Sequence, residues 1–292
     1  MSLPKELNLG SNKPLSSSAR PNILKFRSDN STYSAGDTIR IEIPTNRQGQ
    51  YLFPLDSFLE FKLKVNATGG AAAGKTTFML DQSIDSLFNW IRIIHCSTVL
   101  EDTLYANRLW TAIYDIQVNE SERRGDCITK GVYDTQATLT YTSIYNSGMF
   151  GQTIAIKNSG TAASDSYIYD FNFVLPSSLF GSLSQKALPL SLLDASSIYI
   201  ELELAQLNTA FVSQLSVATA NGTLNSYTIS DIYYNAKVSI LPIEVEQALI
   251  ASTGGIINLP AVAYKCEQEN ITAGNIGCWK IRIYLFNCKN NV

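Results

Sequence analysis

The sequence predicts an all-β fold of mainly antiparallel strands, and three observations predict it. Several segments alternate apolar and polar residues with period 2, as a strand does when one face meets a core and the other meets solvent. These segments are rich in Ile, Tyr, Phe and Thr and are parted by polar loops, the rhythm of a sandwich or a barrel. Helical spacing is confined to short stretches, so one or two short helices are expected and not the alternating β–α units of a parallel sheet. No internal repeat of fixed period is visible.

In chain order, residues 1–20 are rich in Ser, Asn, Pro and Gly and read as a flexible arm, with order beginning near Ile23. After the turn signal Ser34-Ala35-Gly36-Asp37, the isoleucines of Thr38-Ile39-Arg40-Ile41-Glu42-Ile43 share one face, and Pro44 ends the strand because it cannot donate to a ladder. Residues 58–65 form a second strand, with Leu59, Phe61, Leu63 and Val65 opposite Glu60, Lys62 and Lys64. Residues 66–75 read as a small-residue loop and 76–80 as a short strand. A helical turn is expected over 85–89, then a buried strand over 90–95. Over 104–118, the spacing of Leu104, Leu109, Ile113 and Ile116 predicts a helix crossing one end of the fold. Further strands follow at 167–175 (Tyr169, Phe171 and Phe173 inward), at 198–204 (Ile198, Ile200, Leu202 and Leu204 inward) and at 227–241, closed by Pro242. Long polar loops at 119–136 and 158–166 are candidate functional surfaces. Ile39, Ile41, Ile43, Leu59, Phe61, Leu63, Phe171, Phe173, Ile200 and Leu202 are expected in one core.

The chain has 292 residues, enough for one large all-β domain or two modest ones. Only 16% of residues are charged and 45% are hydrophobic, against about 25% charged in an ordinary soluble domain. Part of the outside is therefore expected to be covered, as in a subunit of an assembly. The net charge of -3, with no block of Lys and Arg, argues against strong direct nucleic-acid binding, and Lys5, Glu6, Lys13 and Arg20 are too few to make the arm a nucleic-acid arm. No apolar run approaches the roughly 20 residues of a transmembrane helix. Cys96, Cys127, Cys266, Cys278 and Cys288 are odd in number and widely spaced, which reads as reduced thiols in a protein assembled inside a cell. Without an apolar stretch in the first 20 residues, synthesis in the cytosol or nucleus is expected.

Two features could carry chemistry. Residues 69–76, Gly-Gly-Ala-Ala-Ala-Gly-Lys-Thr, match the phosphate-cradling G-x-x-x-x-G-K-[ST] motif. That motif needs a helix starting at Lys75, but Thr76, Thr77 and Phe78 favour strand, so a hairpin loop is expected instead. His95 is the only histidine and lies in the apolar run Ile93-Ile94-His95-Cys96, where a core histidine is expected over a general base or a zinc ligand. The sequons at Asn30, Asn66, Asn119, Asn221 and Asn270 carry little without a secretory signal. No catalytic, cofactor or metal residues are assigned, and the chain is read as no enzyme.

Four stretches together resemble the double-jelly-roll, hexon-like major capsid proteins of viruses. The first is Tyr33-Ser34-Ala35-Gly36-Asp37 through Pro44, with Gly49-Gln50-Tyr51-Leu52-Phe53-Pro54 and Ser57-Phe58-Leu59-Glu60-Phe61. The second is Ser86-Leu87-Phe88 with Ile91-Arg92-Ile93-Ile94-His95-Cys96-Ser97-Thr98-Val99-Leu100-Glu101. The third is Leu179-Phe180-Gly181, Leu188-Pro189-Leu190 and residues 198–204. The fourth is Ala248-Leu249-Ile250-Ala251-Ser252-Thr253-Gly254-Gly255. The resemblance covers roughly residues 21–265. It implies an antiparallel jelly-roll β-sandwich and a viral capsid protein that self-assembles into capsomers of an icosahedral shell, as a homotrimer beside other capsid proteins. The expected place is the virion, after assembly in host cytoplasm or nucleus. The alternative is a jelly-roll spike protein that binds a receptor or glycan. Two jelly rolls need more chain than follows Pro242, so the expected organisation is an arm at 1–20, a jelly roll at 21–243, and at 244–292 a connecting segment with a partial or divergent second β-domain. Residues from Glu244 onward are then expected to pack loosely or against a neighbouring chain.

Overall fold

Alternating isoleucines and leucines become a two-sheet core in the computed structural model, which describes residues 20–68, 76–80, 83–117, 153–156, 164–213, 223–253, 259, 262–264 and 286–287. The smaller of the two main sheets has the order β3 (Thr38–Ile43), β12 (Ile198–Leu204), β7 (Phe88–His95) and β8 (Thr98–Leu104), all antiparallel. The larger has seven strands centred on β14 (Thr223–Ile240). One flank of β14 carries β5 (Phe58–Thr68) and β4 (Gln50–Leu52), and its other flank carries β2 (Thr32–Ser34) and β1 (Arg20–Arg27). β10 (Ser164–Phe173) pairs outside β5, and β11 (Leu188–Pro189) pairs outside β4. The chain visits the small sheet with β3, the large with β4 and β5, the small with β7 and β8, the large with β10 and β11, the small with β12 and the large with β14. This repeated crossing is the wrapped order of a jelly-roll β-sandwich. A third sheet joins β6 (Thr76–Leu80) to β9 (Thr153–Ile156) and β13 (Phe211–Ser213), and β15 (Val262–Ala263) pairs with β16 (Phe286–Asn287).

All ten residues expected in the core lie in one buried cluster. Aromatic rings knit the sheets together. Phe61 of β5 meets Phe88 of β7 edge-on at 5.9 Å, and Phe173 of β10 stacks on Phe88 at 5.4 Å. Such pairs add to burial through their quadrupoles. The turn before β3 is built as its residues suggest, with Gly36 at φ +85° and Asp37 Oδ2 accepting from Ser34 N at 2.7 Å.

Several boundaries differ from expectation. β5 continues to Thr68, three residues past Val65, because β10 and β14 flank it that far. The helical turn is a 3₁₀ turn at Ile84–Leu87, so β7 starts at Phe88. β8 was not anticipated: its inward residues are Glu101 and Thr103, so the apolar face of the pattern points the wrong way. Leu104 accordingly closes β8, and helix α1 spans Ala106–Gln117. α1 buries Ala106 and Leu109 in its first turns, whereas Ile116 is exposed. In β14 the inward set is Tyr227 and Ile229, then Ile232, Tyr234, Ala236 and Val238. A bulge at Asp231, φ +52°, inserts the extra residue that switches the phase. α2 (Leu207–Ala210) and α3 (Ile243–Thr253) complete the described helices. Among the described residues, no helix is long and apolar enough to cross a membrane.

Described residues beyond Glu244 touch the sandwich at three places. Glu246 is buried, Leu259 packs against the core cluster, and the Tyr264 ring meets Trp110 of α1 at 5.0 Å. Apolar and aromatic groups on the sandwich provide that anchorage.

Candidate functional site

His95 ends β7 half-buried at the hairpin to β8, not in the core, because the strand's inward face stops at Ile93. Its Nε2 lies 3.2 Å from Ser196 Oγ, and Cys96 beside it is free and exposed. Among the described residues no third metal-ligating side chain joins this pair. Residues 69–75 of the glycine-rich stretch and Cys127, Cys266, Cys278 and Cys288 lie outside the described residues. Thr76, however, opens strand β6, and β6 pairs with β9 and β13, not with β5. The glycine-rich loop therefore leads from one sheet to another and is not a hairpin, and no helix follows it to aim amides at a phosphate. A depression lined by Ser178, Leu179, Ser184, Lys186, Leu188 and Leu259 has a cavity volume of about 10 Å³, far below the roughly 300–1,000 Å³ of typical small-molecule sites.

The buried polar groups hold the scaffold. Glu101 enters the interior from β8, only 3% exposed, and accepts from Ser177 Oγ at 2.7 Å, Ser178 Oγ at 3.3 Å and Ser178 N at 3.4 Å. Ser177 Oγ in turn accepts from Leu179 N at 3.2 Å and Phe180 N at 3.0 Å. Burial pushes the Glu101 carboxyl above the usual range, and the serine and backbone donors pull it partly back. The Tyr51 hydroxyl of β4 is buried beside the Ser191 hydroxyl and the Glu246 carboxyl of α3. Burial raises the Tyr51 phenol, and the Glu246 charge raises it further.

The outer surfaces differ between the sheets. On the large sheet, Lys25 Nζ donates to Glu60 Oε2 at 2.8 Å, and Lys62 pairs with Asp231 at 2.8 Å. The hydrogen bonds from Lys25 and then Asn235 hold the Glu60 carboxyl below its usual range. β1 and β10 are the lateral strands of this sheet, and neither outer edge pairs with another described strand. Each turns an isoleucine to solvent, Ile23 at 61% and Ile168 at 62% exposure.

On the small sheet, register aligns Arg40 of β3, Glu201 of β12, Arg92 of β7 and Asp102 of β8 in one row across all four strands. Glu201 lies 3.7 Å from Arg40 and 3.8 Å from Arg92. The Arg40 guanidinium sits 3.9 Å from the Tyr199 ring centroid, Arg92 sits 5.2 Å from Trp90, and Trp90 Nε1 donates to Asp102 Oδ1. Alternation placed Arg40 and Glu201 on an outward face, but their side-by-side order follows only from strand pairing.

No protein-family model matches the chain, and no curated protein matches it significantly. Among solved structures it is similar to the capsid of the virus PBCV-1 (12% identity, 87% of this chain and 49% of that one, TM-score 0.46). It is similar to the mavirus major capsid protein (10% identity, 91% and 55%, TM-score 0.46) and to the Faustovirus major capsid protein (10% identity, 88% and 60%, TM-score 0.43). The chain spans about half the length of the first two.

Proposed function

We propose that this chain is a structural protein of a viral shell whose work is self-association into capsomers, not catalysis. The observation that supports this most is the pair of lateral strands of the large sheet, β1 and β10, whose outer edges pair with no other described strand and which each carry an outward isoleucine. An unpaired edge offers N–H and C=O groups to another chain. In this reading the partners are further copies of the chain, most simply three in a capsomer, and other capsid proteins of an icosahedral virion. Residues 1–20 serve as an arm, 21–243 as the jelly-roll unit, and 244–292 as a connecting segment with a partial or divergent second β-domain.

A glycan-binding spike would need open aromatic faces. Two outer-face rings, Tyr199 and Trp90, are instead attended by guanidinium groups. Multi-angle light scattering of the full chain at micromolar concentration tests the proposal. Trimers or larger bodies are expected, and a stable monomer at every concentration overturns it.

A further inference from the structure

The row Arg40–Glu201–Arg92–Asp102 reads plus, minus, plus, minus across an even number of strands. Turned by a two-fold axis through its midpoint, it reads minus, plus, minus, plus. We infer that the outer face of the four-stranded sheet docks on the same face of a second copy across a two-fold axis. Arg40 then opposes Asp102 of the second copy, and Glu201 opposes its Arg92. This rests on the self-association reading above and assigns it a surface. A row of like charges, or one of three alternating charges, would meet itself with repulsion, so the count of four and the order both matter.

The groups are placed to gain from such contact. Glu201 and Arg92 are already partly shielded, with side chains 19% and 32% exposed, so docking completes a desolvation that has begun. Tyr199 and Trp90 flank the row and supply the flat aromatic area enriched at interface cores. Isologous contact of this kind is the commonest route by which copies of one chain close upon each other. Complementary charge sets the register of the contact more than its raw strength.

The test uses the full chain in sedimentation velocity over a concentration series, with Arg92→Glu, Glu201→Arg, their equimolar mixture and the double variant. Each single variant sets like charges against each other twice across the axis and should weaken association by about tenfold or more at low salt, less at high salt. The mixture should recover association, because the opposing charges match again between unlike copies, and so should the double variant. That recovery excludes misfolding as the cause of the single-variant losses. If the wild-type chain associates and the single variants do so equally well, the face inference falls while the self-association reading stands. A wild-type chain that stays monomeric overturns both.

Discussion

Glu101→Ala should loosen the loop between β10 and β11 and destabilise the whole sandwich. The carboxylate is 3% exposed and gathers Ser177 Oγ, Ser178 Oγ and Ser178 N within 2.7–3.4 Å. Removing it leaves two or three donors unpaired, each costing about 1–3 kcal/mol, while releasing a buried charge returns part of that, for a net cost of about 2–4 kcal/mol. Because burial raises the carboxyl's pKa above its unfolded value, the folded protein binds this proton more tightly than the unfolded chain. The associated stability is fully present below the ordinary carboxylate range and is lost as pH rises through the raised value, with a slope of at most about 1.4 kcal/mol per pH unit. Glu101→Gln stays neutral throughout. The wild type should therefore gain on this variant as pH falls from neutrality toward the usual carboxylate range. Urea unfolding of wild type, Glu101→Ala and Glu101→Gln across that window measures both effects. A cost below about 1 kcal/mol for the alanine variant, or a wild-type-minus-glutamine difference flat with pH, would refute the reasoning.

Other outcomes follow from single features. Tyr51→Phe removes a buried hydroxyl that lies beside Ser191 and the Glu246 charge, so thermal melts should show a cost of no more than about 1 kcal/mol. Glu246→Gln should lower the Tyr51 phenol pKa partway in a spectrophotometric titration, since that charge is the second cause of its elevation. Gly181→Ala would put a methyl carbon 1.7 Å from Leu175 O, so the loop must move and stability should fall by more than about 2 kcal/mol in chemical denaturation. Titration calorimetry with Mg-ATP should give no heat from the glycine-rich loop, because β6 follows it where a helix would be required; micromolar binding lost in Lys75→Ala would contradict this.

Where sequence periodicity matched the structure, one rule was at work: a strand with one buried face and no bulge. β3 and β12 obey it from end to end, so their bounds and inward residues were legible. β8 breaks it because an inward glutamate is satisfied by a loop nearly 80 residues away, a compensation no local pattern carries. β14 breaks it by changing phase at Asp231, so one half of any single alternation must fail. The short strands β2, β4 and β11 have at most three residues and exist because a neighbour pairs with them. The small-sheet row was invisible for a related reason: alternation says which face a residue takes, and pairing among residues 40, 92, 102 and 201 says which residues share it.

In the assembly proposed above, the two kinds of exposed surface would divide the work in physical terms. An open edge strand pairs through backbone groups that every residue carries, so it gives adhesion with little choice of register or partner. Ile23 and Ile168 strengthen that adhesion without adding discrimination, since an apolar contact is non-directional. The charge row behaves oppositely. In water its pairs at 3.7 and 3.8 Å contribute little, but a slip by one strand would set like charges together. A shell needs both terms, because adhesion without register gives aggregates and register without adhesion gives encounter complexes. In a chain only 16% charged, placing four of those charges in one alternating row is an economical way to choose among the contacts that its apolar surface would otherwise permit.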